Sequence, residues 1–261
     1  MAQTDEHVLS AHQRAVAERV IGEESARREH VVVYLSGAHA YGFPSPDSDL
    51  DLKSIHVEPT RSLLGFTPPV LTFDRAEVIE GVEIDYTSNE LANALSCVLE
   101  GNGNFLERLL GRTTFTTSPI LEGLRPLVRA SLSRRVHKHY RGFAASQLRF
   151  LERDPIVKKV LYVLRTALTG TYLLETGELE TDVTRLIDAH GFSDALALVE
   201  AKRAGERTAA DPALLDTWRP RLATALKRLD AALARSVLPE EPPNVADLEA
   251  WLVETRRSRL K

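Results

Sequence analysis

Two carboxylates stand one residue apart in Asp49-Leu50-Asp51, at the start of a segment that alternates polar and apolar residues. Residues two apart in a β-strand point to the same face, so Asp49 and Asp51 would share one face of a strand. Neighbouring anions repel each other and are costly to bury unless a positive group lies between them. Carboxylate oxygens suit Mg²⁺ as ligands. The pair is therefore a candidate metal site.

A short turn precedes this pair. The apolar run 31–35 is rich in β-branched residues and predicts a buried strand, which leads into Ser36-Gly37. Glycine allows a close approach of the backbone, and N–H groups at the start of a helix favour anions. Ser36 and Gly37 are therefore candidate contacts of a phosphate group. Ser48, next to the acidic pair, could also contact phosphate or could simply shape a turn.

A third carboxylate is expected from a neighbouring strand. In the segment 82–86, alternation places Glu83 and Asp85 on one face. Asp85 is the better candidate because the strand ends there and a helix follows, which brings Asp85 near the rim of the sheet. Three acids commonly hold two Mg²⁺ ions about 3.5–4 Å apart, which clamp the attacking and leaving oxygens of a displacement. Asp85 could also help to deprotonate an attacking hydroxyl.

The order of strand, Ser-Gly turn, helix and D-x-D strand resembles the nucleotidyltransferase fold of the DNA polymerase beta superfamily. Within it, S-G-A-H-A-Y-G…S-P-D-S-D-L-D is most similar to the predicted bacterial RNA-ligase-associated nucleotidyltransferases, which read G-S-x-A-Y-G…T-P-x-S-D-x-D. Gly37-Ala38 aligns with their Gly-Ser, so an alanine stands at the serine position. A weaker similarity to the same family continues along the chain to about Leu252. The resemblance also points to Asp85 as the third acid.

This resemblance implies an enzyme that moves a nucleoside monophosphate from a nucleoside triphosphate to an acceptor and releases pyrophosphate, with two Mg²⁺ or Mn²⁺ ions as cofactors. The acceptor hydroxyl could belong to an RNA end, a protein or a small molecule, and the resemblance favours RNA repair. In related nucleotidyltransferases a lysine of the helical part typically reaches the triphosphate. Lys158, Tyr162 and Arg165 stand at i, i+4 and i+7 on one helix stripe.

The three residues of this stripe have different expected roles. Lys158 would contact phosphate, Tyr162 would help to shape the nucleotide pocket, and Arg165 would pair with phosphate or with a site carboxylate. An ordinary solvated helix face explains the same spacing equally well.

Strand signals dominate the first part of the chain and almost vanish after Ile120. The predicted fold class is α+β, with an N-terminal nucleotidyltransferase-type mixed sheet and flanking helices, followed by a C-terminal helical bundle. Residues 1–117 would form the catalytic domain, and residues 118–261 a helical domain that closes the nucleotide cleft. The predicted strands are 31–35, 49–57, 71–73, 76–79 and 82–86, the last two joined as a hairpin across Glu80-Gly81. The predicted helices include 7–28, 104–110, 121–135, 137–152, 156–175, 182–190, 196–204, 212–236 and 245–258.

Composition narrows the class of protein further. The net charge of −4 argues against a chain dominated by nonspecific nucleic-acid binding. No run approaches 18 apolar residues, so no membrane span is expected, and the polar start lacks the apolar region of a secretory signal. A single cysteine, Cys97, cannot form an internal disulfide. These features together predict a cytoplasmic protein, and they give no oligomeric state.

Two other functions are compatible with the same residues. A regulatory or antitoxin-like protein could keep the fold and bind a nucleotide with little or no turnover, and the missing serine of the Gly-Ser pair is its main support. A phosphohydrolase could use the same acids on two metals, but the chain lacks the His/Asp clusters that such sites usually show, so this function ranks last.

Overall fold

The computed structural model describes residues 9–260, so positions 7 and 8 of the predicted first helix lie outside the described residues. The chain forms two compact units, each built from separate stretches of sequence. Within the described residues, the sheet unit contains residues 9–37, 49–132 and 242–260. The helical unit contains residues 38–48 and 133–241. The division into a catalytic domain 1–117 and a helical domain 118–261 stays a prediction.

A mixed five-stranded sheet forms the centre of the sheet unit, in the order β3-β4-β2-β1-β5. Its central pair, β2 and β4, is parallel, and the other neighbouring strands are antiparallel. This arrangement confirms the predicted mixed sheet. The strands are β1 (Glu29–Leu35), β2 (Leu50–Val57), β3 (Thr72–Ile79), β4 (Val82–Glu90) and β5 (Thr114–Thr117).

Two strand predictions differ from the structure. The short strands predicted at 71–73 and 76–79 form the single strand β3, because β3 pairs with β4 along its whole length and the polar residues Asp74 and Arg75 continue the ladder. The prediction also missed β5, whose four residues T-F-T-T are too short and too polar to give a strand signal. They add an edge to the sheet by pairing with the buried strand β1.

Helices occupy most of the remaining chain, which confirms the helical C-terminal half. In the sheet unit the helices are α1 (Ala11–Ser25), α3 (Thr60–Leu63), α4 (Leu91–Leu99), α5 (Gly103–Leu110), α6 (Pro119–Ala130) and α12 (Val245–Arg257). In the helical unit they are α7 (Val136–Arg153), α8 (Val157–Thr176), α9 (Val183–Leu186), α10 (Leu196–Arg203) and α11 (Pro212–Ala234). The short helix α2 (Gly37–Ala40) begins at the last residue of the first stretch of the sheet unit.

Two helices end four and five residues earlier than predicted. The helix predicted at 182–190 is the single turn α9, after which the chain turns through residues 187–191 to Gly191, whose φ of +69° is disfavoured for other residues. The helix predicted at 121–135 is α6, which starts at the N-cap Ser118 and stops at Ala130. Within residues 9–260, no helix combines the length and apolar composition needed to cross a membrane.

The predicted hairpin between β3 and β4 is confirmed. Glu80 and Gly81 form its two-residue turn, with φ values of +52° and +82°. Positive φ at both positions is typical of the type I′ turn, whose twist matches that of the flanking strands. The turn fixes the register of β4, so that Asp85 lies opposite Ala76 on one side.

One face of the sheet packs against α1. Leu50 and Leu52 of β2 and Ile84 and Tyr86 of β4 are buried in this core. The α1 residues of the same core are Val16, Ala17, Val20 and Ile21. Because side chains alternate along a strand, the residues between these apolar positions point to the opposite face. Asp51, Lys53 and Asp85 therefore share the face of the sheet that turns away from α1.

Two buried histidines make the stability of the sheet unit depend on pH. His30 Nε2 lies 2.8 Å from the Tyr86 hydroxyl, and His56 Nδ1 lies 2.8 Å from Ser88 Oγ. Burial disfavours the charged imidazolium and lowers the pKa of both histidines to about 4. The unfolded chain therefore binds more protons than the folded chain between about pH 6.5 and 4.

Lowering the pH from 7 to 5 is expected to reduce the free energy of unfolding by about 2 kcal/mol per buried histidine. The sign follows from the lowered pKa: the stabilisation is present above the pKa of the unfolded chain and is lost as the pH falls toward 4. Urea unfolding at pH 7 and pH 5 measures the difference, and His56→Gln should roughly halve it. Equal stability at the two pH values would contradict the prediction.

Candidate active site

Asp51 and Asp85 lie side by side on neighbouring strands. They are direct partners in the parallel register of β2 and β4. The ammonium group of Lys53 lies between them, with Nζ 2.8 Å from Asp85 Oδ2 and 3.5 Å from Asp51 Oδ1. Lys53 Nζ also donates a hydrogen bond to the Asp85 carbonyl oxygen at 3.2 Å. Two carboxylates thus meet at one positive charge, in the place where sequence analysis expects a cation.

The donor chemistry at this place fits a hard divalent cation, because the converging groups are carboxylate oxygens and they already surround a positive charge. Asp49 directly precedes β2 and is partly buried. Within residues 9–260, no three His, Cys, Asp or Glu side chains are already grouped in an arrangement that could hold a metal ion. The roles of Asp49, Asp51 and Asp85 as metal ligands and catalytic residues stay predictions.

The Ser36-Gly37 turn lies directly against Asp51. The Ser36 N–H donates to the Asp51 carbonyl oxygen at 2.8 Å. Gly37 has a φ of +65°, and a Cβ atom there would overlap Asp51 Oδ2. Only glycine fits such a position without moving the carboxylate. The turn therefore fixes the position of Asp51, and the proposed contact of Ser36 and Gly37 with a triphosphate stays a prediction.

In the helical unit, α8 presents Lys158, Tyr162 and Arg165 along one side. The Tyr162 ring packs edge-on against Tyr41 and Phe43, with ring centroids 5.6 and 5.7 Å apart. The Arg165 guanidinium lies 3.6 Å from the centroid of the Tyr41 ring and is almost fully buried. Lys158 Nζ lies 5.7 Å from the Tyr162 ring centroid.

The stripe is therefore continuous, as its spacing predicted, but the interpretation as a solvated helix face does not describe Arg165, which is stacked in a buried aromatic cluster. Lys158 and Tyr162 remain partly accessible. The nucleotide-binding roles of the three residues stay predictions.

Ser48 and Lys158 meet a side chain that the sequence analysis did not single out. Ser48 Oγ lies 3.1 Å from Glu206 Oε2, and Lys158 Nζ forms an ion pair with Glu206 Oε1. Lys202, fully buried, pairs with the same carboxylate at 2.6 Å. Ser48 is thus more than a turn residue, because its hydroxyl belongs to a charged network of the helical unit.

Sequence reasoning missed Lys53, Lys202 and Glu206. Lys53 carried a local signal, since it stands two residues after Asp51 and must share its face of the strand. Lys202 and Glu206 have the i, i+4 spacing of an ordinary surface pair. Nothing local indicates that they meet Ser48 and its neighbour Ser45, more than 150 residues earlier in the chain.

Comparison with known proteins identifies the family. Residues 13–254 match the model of the RNA repair pathway DNA polymerase beta family. The chain belongs to this family. Its membership confirms the resemblance that the D-x-D segment suggested, and it indicates a nucleotidyltransferase of the DNA polymerase beta type.

The chain is also similar to two other proteins. An uncharacterized protein of Methanocaldococcus jannaschii is 28% identical over 178 residues, which are 66% of this chain and 72% of that protein. The crystal structure of a nucleotidyltransferase-like protein from Exiguobacterium sibiricum 255-15 aligns with 94% of this chain and 80% of its own, with 13% identity and a TM-score of 0.34. The family assignment is based on the sequence match over residues 13–254.

Proposed function

We propose that this protein is a metal-dependent nucleotidyltransferase that moves a nucleoside monophosphate from a nucleoside triphosphate to an acceptor hydroxyl and releases pyrophosphate. One observation carries the proposal: Asp51 and Asp85, on adjacent parallel strands, converge on one positive charge. The family description names RNA repair, so an RNA end is the leading acceptor, ahead of a protein side chain or a small molecule.

In the proposed reaction, the acceptor oxygen attacks the α-phosphorus, the bond from that phosphorus to the bridging oxygen breaks, and pyrophosphate leaves. Asp85, whose side chain is half exposed, accepts the proton of the attacking hydroxyl. Ser36 and Gly37 contact the triphosphate, and the absence of a Cβ atom at Gly37 leaves room for the Asp51 carboxylate. Asp49, Asp51 and Asp85 would hold two Mg²⁺ or Mn²⁺ ions, which when bound supply charge neutralisation at the phosphates. Ser48, Lys158, Tyr162 and Arg165 are the proposed nucleotide contacts of the helical unit.

The proposal is tested by incubating the protein with each labelled nucleoside triphosphate, with Mg²⁺ or Mn²⁺, and with RNA or protein from a cell extract. We expect pyrophosphate release that requires the divalent cation, transfer of label to one of the two fractions, and loss of both in Asp49→Asn. Nucleotide binding without turnover, unaffected by Asp49→Asn, would instead favour the regulatory or antitoxin-like function. Release of inorganic phosphate would favour a phosphohydrolase.

Replacing Lys53 by methionine is expected to tighten the binding of Mn²⁺ to the nucleotide-free protein by about tenfold, because the ammonium no longer competes with the cation for Asp51 and Asp85. Electron paramagnetic resonance of Mn²⁺ titrations measures the free ion directly. Lys159→Met is the matched control, since Lys159 pairs with Asp154 in the helical unit and should leave the affinity unchanged. Equal or weaker binding by Lys53→Met would show that the ammonium and the metal do not share these oxygens.

A further inference from the structure

The carboxylate of Glu206 lies in a cradle of hydrogen-bond donors within the helical unit. Its Oε2 is 2.6 Å from Lys202 Nζ, 3.1 Å from Ser48 Oγ and 3.4 Å from Ser45 Oγ. Its Oε1 forms an ion pair with Lys158 Nζ. The donors come from α8, from the end of α10 and from the turn at residues 45–48, so the fold gathers them from three separate stretches. Four side chains thus converge on one anionic group.

This cradle is closed on one side and accessible on the other. Lys202 is fully buried, and Ser45 and Ser48 are almost fully buried. Lys202 also donates to Ser45 Oγ at 2.7 Å and to Ser48 Oγ at 3.2 Å. The side chains of Glu206 and Lys158, in contrast, are 23% and 24% exposed. Buried donors therefore bind the Glu206 carboxylate on one side. On the other side, Glu206 and Lys158 are partly exposed to solvent.

A buried ammonium needs an anion beside it, because an uncompensated charge in this environment is strongly destabilising. Burial by itself would raise the pKa of Glu206, but the hydrogen bonds from Lys158 and Lys202 outweigh it and hold that pKa below its ordinary value. The carboxylate is therefore charged at neutral pH. Its neighbour Asp47 accepts the Glu206 N–H at 3.3 Å and adds a second negative charge at the edge of the cradle.

Two ammonium groups and two hydroxyls around a pair of oxygens are also the donors that proteins use to bind a phosphate group. Glu206 lies in the turn that follows α10, outside any helix or strand, where Asp47 holds its backbone N–H. A rotation of the Glu206 side chain would leave Lys158, Lys202, Ser45 and Ser48 in place with no carboxylate between them. The requirement for an anion would then be met by a phosphate.

We propose that Glu206 is a built-in substitute for phosphate, and that the polyphosphate of a nucleotide displaces its carboxylate from the cradle of Lys158, Lys202, Ser45 and Ser48. This rests on the proposed function, in which Lys158 and Ser48 are nucleotide contacts. Glu206 thereby weakens the binding of every polyphosphate by competing for the same donors, and it keeps the buried Lys202 compensated when no nucleotide is present.

Pyrophosphate binding in metal-free buffer with EDTA tests the proposal by calorimetry. Glu206→Gln keeps the size of the side chain and removes its charge, so we expect binding about tenfold tighter than in the unmodified protein. Glu200→Gln is the matched control, because Glu200 lies on α10 and pairs with the exposed Arg203; it should change nothing. Adding Lys158→Ala to Glu206→Gln should abolish the gain.

A second variant keeps the test decisive if Glu206→Gln does not fold. Ser48→Ala in the otherwise unmodified protein removes one donor and should weaken pyrophosphate binding about tenfold. Unchanged pyrophosphate affinity in a folded Glu206→Gln protein, or in Ser48→Ala, would overturn the proposal. If Glu206→Gln tightened the binding of an oligoribonucleotide without terminal phosphates and not that of pyrophosphate, the cradle would belong to an RNA backbone and the polyphosphate assignment would be wrong.

These measurements need neither metal nor turnover, so their outcome is separate from that of the proposed function. Pyrophosphate release could fail while the cradle still binds pyrophosphate, which would leave a nucleotide-binding protein without the transferase activity. Conversely, transfer could proceed while Glu206→Gln leaves pyrophosphate affinity unchanged. The protein would then be a transferase in which Glu206 does not compete with polyphosphate.

Discussion

Replacing Asp51 by asparagine is expected to lower the rate of nucleotidyl transfer by at least about 100-fold. The loss of one electrostatic group at a reacting centre typically has an effect of this size. Asparagine keeps the shape of the side chain but removes the charge that would hold a cation beside Asp85. Pyrophosphate release at saturating nucleoside triphosphate measures the rate. Thermal unfolding of the same sample should show a change of only a few degrees, because Lys53 keeps its contact with Asp85 at 2.8 Å.

Glu83→Gln is the control for this variant. Glu83 lies on the same strand as Asp85 and two residues before it, so its side chain points to the same face of the sheet, where it is exposed. The change removes the same charge from a position outside the acidic pair and should leave the rate within about twofold. A wild-type rate in Asp51→Asn, or equal losses in the two variants, would show that the Asp51 carboxylate has no specific role in the reaction.

Replacing Gly37 by alanine is expected to lower the transfer rate by about 100-fold as well, although the new methyl group carries no charge. The added Cβ would overlap Asp51 Oδ2, so the carboxylate must move away from its place beside Lys53. The positive φ of Gly37 adds strain on the order of 1–2 kcal/mol for any residue with a side chain. Pyrophosphate release and urea unfolding should be measured together on the same preparation.

Gly81→Ala separates the two effects of this substitution. Gly81 has a φ of +82° in the hairpin turn, and a Cβ there would meet no atom within 4 Å. The control therefore carries the backbone strain without the displacement of Asp51. We expect Gly81→Ala to lose stability but keep its rate, and Gly37→Ala to lose both. If the two variants kept the same rate per folded molecule, the position of Asp51 would not depend on the turn.

The sheet and its acidic face were predictable because their signals are local. Alternation along 49–57 and 82–86 assigns Asp51 and Asp85 to one face of their respective strands. The two-residue turn Glu80-Gly81 fixes where β4 begins. Alternation alone did not decide which strands are neighbours; Asp85 was chosen because its strand ends near the rim of the sheet, and the family resemblance pointed to the same residue. The parallel pairing of β2 with β4 then brings Asp51 and Asp85 together. Lys53 could have been predicted by the same alternation.

The cradle around Glu206 could not be predicted from the sequence, because its partners lie far apart along the chain. Ser48 and Glu206 are separated by 158 positions, and their contact depends on how α8 and α10 pack. The burial of Arg165 is a similar case. The spacing of Lys158, Tyr162 and Arg165 identifies one side of a helix, but only the packing of Tyr41 and Phe43 decides which of the three is enclosed.

The chain leaves one compact unit for the other after Gly37, Ser48, Leu132 and Glu241, so no single cut separates them. A fragment ending at Leu132 lacks α12, whose Arg256 pairs with the buried Glu90 at 2.9 Å. A fragment starting at Ser133 lacks Ser45 and Ser48 and leaves the ammonium of Lys202 without two of its acceptors. During synthesis on the ribosome, α12 emerges only after residues 133–241, although every strand of the sheet lies before residue 118. The five strands are therefore made before α12 is available to complete the sheet unit, and residues 133–241 of the helical unit are translated in between.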